Sequence, residues 1–318
     1  MDTSDRYRLF AEVEAAGTSP IYERLALAVA SSPRLLGLLA ELPTQKRQPN
    51  LLFAASRLSG APLGNPAAFA GFVEESWSEI STTMLERSTQ TNEASRTGTF
   101  LPVLAAIDGP VALVEVGCSA GLCLYPDRYR ISFDERPPLC SDSPVAFGVT
   151  TTGPVAIPER LPDVVARIGI DLNPIAASDT DRCAWLEALI WPEHEVRLRR
   201  LQAALSVAEA DPPILLRGDF IDRLGDALLL VPHGATAVVF HSAVLAYVAA
   251  ADRRRFAELM NEHPDVVWIS NEAPGVIEGV STDLEPPASA TTRSFFVTAR
   301  PGVGVVGIAD AHGSWIRW

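Results

Sequence analysis

Val111-Ala-Leu-Val-Glu-Val-Gly-Cys-Ser-Ala-Gly-Leu122 is the stretch on which the fold of this chain turns. A β-branched apolar run ends in an acid-bearing tip, and a Gly/Ser/Ala turn then opens into a helix-like segment. The pattern predicts a buried parallel strand whose turn delivers backbone N–H groups to the carboxyl edge of a sheet. Nucleotide-like ligands bind at such edges. Gly117 and Gly121 carry no Cβ, so main chain there can approach a ligand closely.

The flanks extend this reading in both directions. Upstream, Ser32-Pro33 and Asn65-Pro66 are helix starts, with a capping side chain followed by proline at the first helical position. Phe69, Phe72, Val73, Trp77 and Ile80 recur at helical spacing and predict one buried stripe. No alternating strand pattern precedes Val111. Downstream, short β-branched runs at 111–116, at 130–134 or 167–171, and at 213–217, 235–240 and 266–270 alternate with helical stretches at 182–209 and 251–262. That texture predicts βαβ units. Two apolar runs joined by Arg300-Pro301-Gly302 predict a terminal hairpin. The proline-rich segment 135–165 reads as an insertion or lid. The expected organisation is a helical cap domain over 1–105 and an α/β domain over 106–318.

The central turn admits two chemistries. As G-x-S-x-G it is a serine hydrolase nucleophile elbow centred on Ser119, but that motif needs several strands laid down before it, and here everything upstream is helical. As E-V-G-x-S-x-G it resembles the first motif of class I S-adenosylmethionine methyltransferases, in which helices precede the first strand. That resemblance implies a Rossmann-like sheet with a terminal antiparallel hairpin and S-adenosylmethionine as cofactor. It implies cofactor contacts at Glu115, Gly117, Ser119 and Gly121. Arg167-Ile-Gly-Ile-Asp-Leu-Asn-Pro174 resembles the second strand, with Asp171 accepting the ribose hydroxyls. Ile214-Leu-Leu-Arg-Gly-Asp219-Phe220 resembles the third, with Asp219 accepting from the adenine amino group and Phe220 packing on the base. The interval of 48 residues between Asp171 and Asp219 is longer than the superfamily pattern. Asp134, ending Tyr129-Arg-Ile-Ser-Phe-Asp134, therefore stays open as the alternative ribose acid.

Candidate chemistry lies beyond these positions. His241, ending an apolar strand, can serve as a neutral general base, and Glu272 after the fifth strand can serve as base or cation-binding group. Gln90, Asn92, Glu93 and Tyr247 are candidate substrate contacts. A third reading is a nucleoside- or partner-binding protein without catalysis.

Bulk properties narrow the partners. A chain of 318 residues with 47% hydrophobic composition can bury a substantial core. Its net charge of −13 opposes nucleic-acid binding, which needs a basic face, and favours a small-molecule substrate. Cys118, Cys123, Cys140 and Cys183 lack metal-ligand spacing and read as free thiols of a cytoplasmic protein. No metal site is visible, and no apolar run reaches the roughly 20 residues that span a bilayer. Oligomeric state is not readable.

The chain also resembles, nearly end to end, a bacterial family known only as domain of unknown function 2332. The matching stretches are Gln48-Pro-Asn-Leu-Leu52, Thr89-Gln-Thr-Asn-Glu93, the 115–122 turn, Gly169-Ile-Asp-Leu-Asn-Pro174, Trp191-Pro-Glu193, Arg217-Gly-Asp219, Val239-Phe-His-Ser242 and Ser270-Asn-Glu272. No substrate is assigned to that family, so this resemblance implies an architecture and leaves the reaction unnamed.

Overall fold

A computed structural model describes residues 1–140, 142–290 and 294–318. Ser141, within the expected 135–165 insertion, and Arg293, at the start of the terminal apolar segment, lie outside the described residues. The helices are α1 (Thr3–Leu9), α2 (Pro20–Ser31), α3 (Pro33–Ala40), α4 (Pro49–Leu58), α5 (Pro66–Glu75), α6 (Trp77–Glu86), α7 (Thr97–Ala105), α8 (Thr180–Leu189), α9 (Glu195–Ala210), α10 (Phe220–Leu229) and α11 (Ala250–Asn261). The strands are β1 (Pro110–Val116), β2 (Arg130–Phe133), β3 (Ala146–Thr152), β4 (Asp163–Asp171), β5 (Ile214–Arg217), β6 (Thr236–Ser242), β7 (Val267–Glu272), β8 (Phe295–Arg300), β9 (Gly304–Asp310) and β10 (Trp315–Arg317). The chain forms two compact units: Met1–Thr91 with Asp179–Arg199, and Asn92–Ser178 with Arg200–Trp318.

The first unit is helical. Ser32 accepts from Leu35 N–H ahead of α3, and Asn65 accepts from Ala67 and Ala68 N–H ahead of α5, satisfying donors that a helix start leaves open. Phe53 sits among Tyr7, Phe10, Tyr22 and Phe69, ring centroids 4.7–6.1 Å away. Edge-on and tilted packing of this kind suits the ring quadrupoles. The expected stripe divides between α5 and α6: Phe69, Val73 and Ile80 are buried, while Phe72 and Trp77 are half-buried. Residues 179–199 group with this unit, so the expected 182–209 helix is two helices broken at Pro192. Glu193 accepts from Ser19 Oγ (2.6 Å) and Ile21 N (2.9 Å), which ties the Trp191-Pro-Glu193 motif to the start of α2.

The second unit is a mixed sheet of ten strands in the order β2-β3-β10-β9-β8-β7-β6-β1-β4-β5. The five strands β5, β4, β1, β6 and β7 are parallel throughout. β8 and β9 form the expected hairpin across Pro301-Gly302 and pair antiparallel, as do β7 with β8 and β9 with β10. β1, β6 and β7, at the centre of the sheet, are buried along most of their length, as a two-sided parallel sheet requires. Val114, Val116, Ile168, Val239, Leu224, Phe256 and Trp268 share one core on the face covered by α10 and α11.

Two expectations are corrected here. Segment 135–165 is not simply an insertion, because β3 pairs parallel with β2 and, through β10, joins the sheet. Its prolines flank that strand and leave its interior free. Nor does a helix follow the glycine turn. Only a short 3₁₀ turn, Leu122–Leu124, forms before Tyr125-Pro126, where proline removes the donor and disfavours helix in its predecessor. Downstream of it Arg167 is clamped, donating to both carboxylate oxygens of Asp127 (2.8 and 2.7 Å) and lying over the Tyr125 ring at 4.7 Å.

Candidate functional site

Chain order reverses about β1, whose neighbours are β4 and β6, and open α/β sheets hold ligands outside the carboxyl ends of strands at such a reversal. Gly117, Ser119 and Gly121 follow β1 with φ of 69°, 50° and 67°. That left-handed geometry is free for glycine and costs about 1–2 kcal/mol for Ser119.

The turn is held by the protein's own groups. Gly117 and Cys118 N–H donate to Ile170 O (2.8 and 3.1 Å), and Gly121 N–H donates to Cys118 O (2.7 Å). Ser119 N–H donates to Asp171 Oδ2 (2.8 Å) and Ala120 N–H to Asn92 Oδ1 (3.0 Å). A Cβ placed on Gly117 would lie 2.4 Å from Val244 Cγ2, so the Val244 side chain fills the space that glycine leaves. In this conformation the turn amides are therefore engaged by the protein itself. Five consecutive N–H groups already have acceptors, and an apolar side chain occupies the close-approach position.

The two carboxylates beyond the turn have acceptor capacity left. Asp171, half-buried at the end of β4, takes one N–H on each oxygen, from Ser119 and from Asn173 (2.7 Å). An ionised carboxylate offers about four lone-pair sites. Asp219 is exposed one strand over and caps α10 through Oδ1, accepting from Ile221 N (2.9 Å). The two strand ends are joined by Gly218 N–H donating to Asp171 O (3.0 Å). Phe220 instead turns into the core, edge-on to Phe256 at 5.0 Å. Asp134 closes β2, four sheet positions beyond β8. Both its oxygens accept from Thr151, on the backbone N–H and the hydroxyl (2.7 and 2.6 Å).

Glu115 points into the interior and is 6% exposed. Burial and the nearby Asp171 charge push its carboxyl well above the usual carboxylate range, and Arg96 and a hydrogen bond with the Cys123 thiol offset this only in part. A raised folded-state value means ionisation opposes folding. The cost is absent below the ordinary carboxylate value and grows as pH rises from there towards the folded value. Glu115→Gln should thus stabilise the protein relative to wild type by at least about 1 kcal/mol more at about pH 8 than at about pH 4. Urea unfolding at the two pH values measures this, and an equal difference at both contradicts it.

His241 and Glu272 meet, but as a brace. Trp268 Nε1–H donates to His241 Nε2 (3.1 Å), and indole nitrogen is a donor only. The proton of the neutral ring therefore sits on Nδ1, which donates to Glu272 Oε1 (2.8 Å). The same oxygen accepts from Val244 N (2.9 Å) and Leu245 N (3.0 Å). Burial alone would raise the Glu272 pKa, but the His241 hydrogen bond and the two amides hold it below the usual range. Both imidazole nitrogens are spent on protein groups, and His241 and Glu272 are each 1% exposed, so in this conformation neither faces a substrate.

The remaining candidates separate. Asn92 spends its carboxamide on the turn, donating from Nδ2 to Ser119 Oγ (2.9 Å) while Oδ1 takes Ala120 N–H. A hydrolase nucleophile needs an imidazole where Ser119 has this amide. Glu93, 3% exposed, pairs with Arg200 (2.8 Å) and accepts from Ser95. Gln90 belongs to the first unit, and Tyr247 is 90% exposed. Residues that the sequence reading passed over do much of the holding. Arg96 donates to Ala311 O (2.8 Å) and Ser242 O (3.4 Å) and lies over Phe296, while Trp268 fixes the histidine tautomer and Val244 fills the turn. Arg96, a charge shortly ahead of the apolar run Phe100–Leu104, was the one available signal. Val244 had none.

Cys118, Cys123 and Cys183 are buried free thiols, and Cys140 is half-buried. Among the described residues no three His, Cys, Asp or Glu side chains are grouped to hold a metal ion. No described helix is long and apolar enough to cross a membrane. A family model described as an uncharacterized protein conserved in bacteria (DUF2332) matches residues 4–318. No curated protein and no solved structure matches the chain.

Proposed function

We propose, for a chain that belongs to the DUF2332 family of uncharacterized bacterial proteins, that its carboxyl sheet edge binds the nucleoside of S-adenosylmethionine and that it methylates a small-molecule acceptor. One observation carries this reading. Asp171 stands half-buried at the end of the strand beside β1, with a lone pair still open on each oxygen, the acceptor pair that a ribose diol requires. Exposed Asp219 at the neighbouring strand end suits an adenine amino group. Asp134 suits neither role, because it ends β2 at the edge of the sheet, far from the reversal at β1.

The residues fit the nucleoside and not the methionine end. With the five turn amides spent and Val244 over Gly117, the methionine portion enters only if the 243–245 segment withdraws. When bound, the cofactor supplies an electrophilic methyl group. The chain's part is then to orient and to exclude water, since His241 and Glu272 brace each other and supply no free base. That engagement also favours a second reading, a nucleoside-binding protein without turnover.

Isothermal titration with S-adenosylhomocysteine tests the shared step. Saturable binding to the wild type is expected, weakened at least about tenfold in Asp171→Ala and unchanged in Asp134→Ala. Absent binding, or equal affinity in all three proteins, removes the proposal. Methyl transfer to an acceptor panel separates the enzyme from the binder.

A further inference from the structure

We infer a second ligand site, a groove of about 440 Å³ between α11 and the segment 275–278, that takes a small organic carboxylate with an apolar body. Its size falls within the roughly 300–1,000 Å³ usual for small-molecule sites. α11 follows β6 and the 275–278 segment follows β7, so the groove is built by the connections leaving two carboxyl strand ends, where α/β sheets place ligands.

The lining sets the ligand class. Ala257, Val276 and Ile277 are half-buried and present an apolar floor. Arg253 is the one half-buried charge of the lining. Among the described residues its guanidinium has neither a hydrogen bond nor an ion pair, in a chain whose net charge is −13. A partly desolvated cation without a partner is costly to keep, and a carboxylate bound in the fork of its N–H groups relieves that cost. Arg254 stands next to it, exposed and equally unpaired. The lining carboxylates, Glu258 and Glu278, are exposed and hydrated, so they oppose an anion weakly. The apolar floor beside one cation fits an amphipathic monoanion better than inorganic phosphate, which has no surface to lay on it.

The site is independent of nucleoside binding at Asp171. Heteronuclear NMR titration of the full chain with benzoate, octanoate, benzamide and inorganic phosphate tests it. Saturable shifts confined to α11 and 273–280 are expected with the two carboxylates, at least about tenfold weaker with benzamide and phosphate. Arg253→Gln, a change on the protein surface, should weaken carboxylate binding about tenfold, and Ala257→Trp, which fills the groove, should abolish it. No saturable shift with either carboxylate overturns the site, as does equal binding of benzamide or binding indifferent to both substitutions. Asp171→Ala should leave these shifts untouched; if it removes them, the groove is no separate site.

Discussion

Glu272→Leu is expected to destabilise the second unit by about 4 kcal/mol, because three donors lose their only acceptor at once. His241 Nδ1–H, Val244 N–H and Leu245 N–H all converge on Glu272 Oε1, in a region 0–2% exposed at the side-chain pair, where water cannot replace the carboxylate. A buried donor stripped of its acceptor costs about 1–3 kcal/mol, and the apolar gain of leucine returns part of that sum. Glu272→Gln keeps one acceptor oxygen and should cost about 1–2 kcal/mol. The carboxyl is held below its ordinary range, so its contribution is fully present above the ordinary carboxylate value and is lost as pH falls through the folded value. The wild type should accordingly lose more stability than Glu272→Gln on acidification through that window. Urea unfolding followed by tryptophan fluorescence reads both effects, since Trp268 touches the brace. A loss below about 1 kcal/mol for the leucine variant would show that the carboxylate holds nothing.

Gly117→Ala should cost about 3 kcal/mol, from two separable sources. A φ of 69° penalises any Cβ by about 1–2 kcal/mol, and the new methyl would lie 2.4 and 2.6 Å from the two Val244 methyl groups. A β-branched side chain has few rotamers into which to retreat. Val244→Ala in the same chain should recover the steric part and leave the backbone part, giving a coupling of at least about 1 kcal/mol in a double-mutant cycle. Purely additive costs would mean that Val244 does not occupy the turn.

Much of this architecture was legible. The Ser-Pro and Asn-Pro starts located α3 and α5 because capping and proline act locally. Uniformly apolar β-branched runs located β1, β4, β6 and β7 because a parallel sheet buries both faces. β3 escaped notice because it alternates weakly among prolines and pairs at the sheet's far end, a long-range event without a local signature. The helix expected after Gly121 failed on one residue, Pro126.

What the sequence carried about the site residues was their place along the strands, and what it lacked was their partners. Glu115, Asp171, His241 and Glu272 lie in the carboxyl-terminal parts of β1, β4, β6 and β7, and Asn92 reaches the turn after β1 from the segment ahead of α7. Spacing could not tell that Asn92 would bond Ser119 and Ala120, that Trp268 would take the second histidine nitrogen, or that Val244 would cover Gly117. Each of those is a contact between segments more than 25 residues apart, and sequence periodicity carries no information about such pairings.

A crystal structure with S-adenosylhomocysteine tests the central claim most directly. The account predicts both ribose hydroxyls on the Asp171 carboxylate, the adenine beside Asp219, and Val244 drawn away from Gly117. A nucleoside bound elsewhere, or one seated with no contact to Asp171, contradicts it.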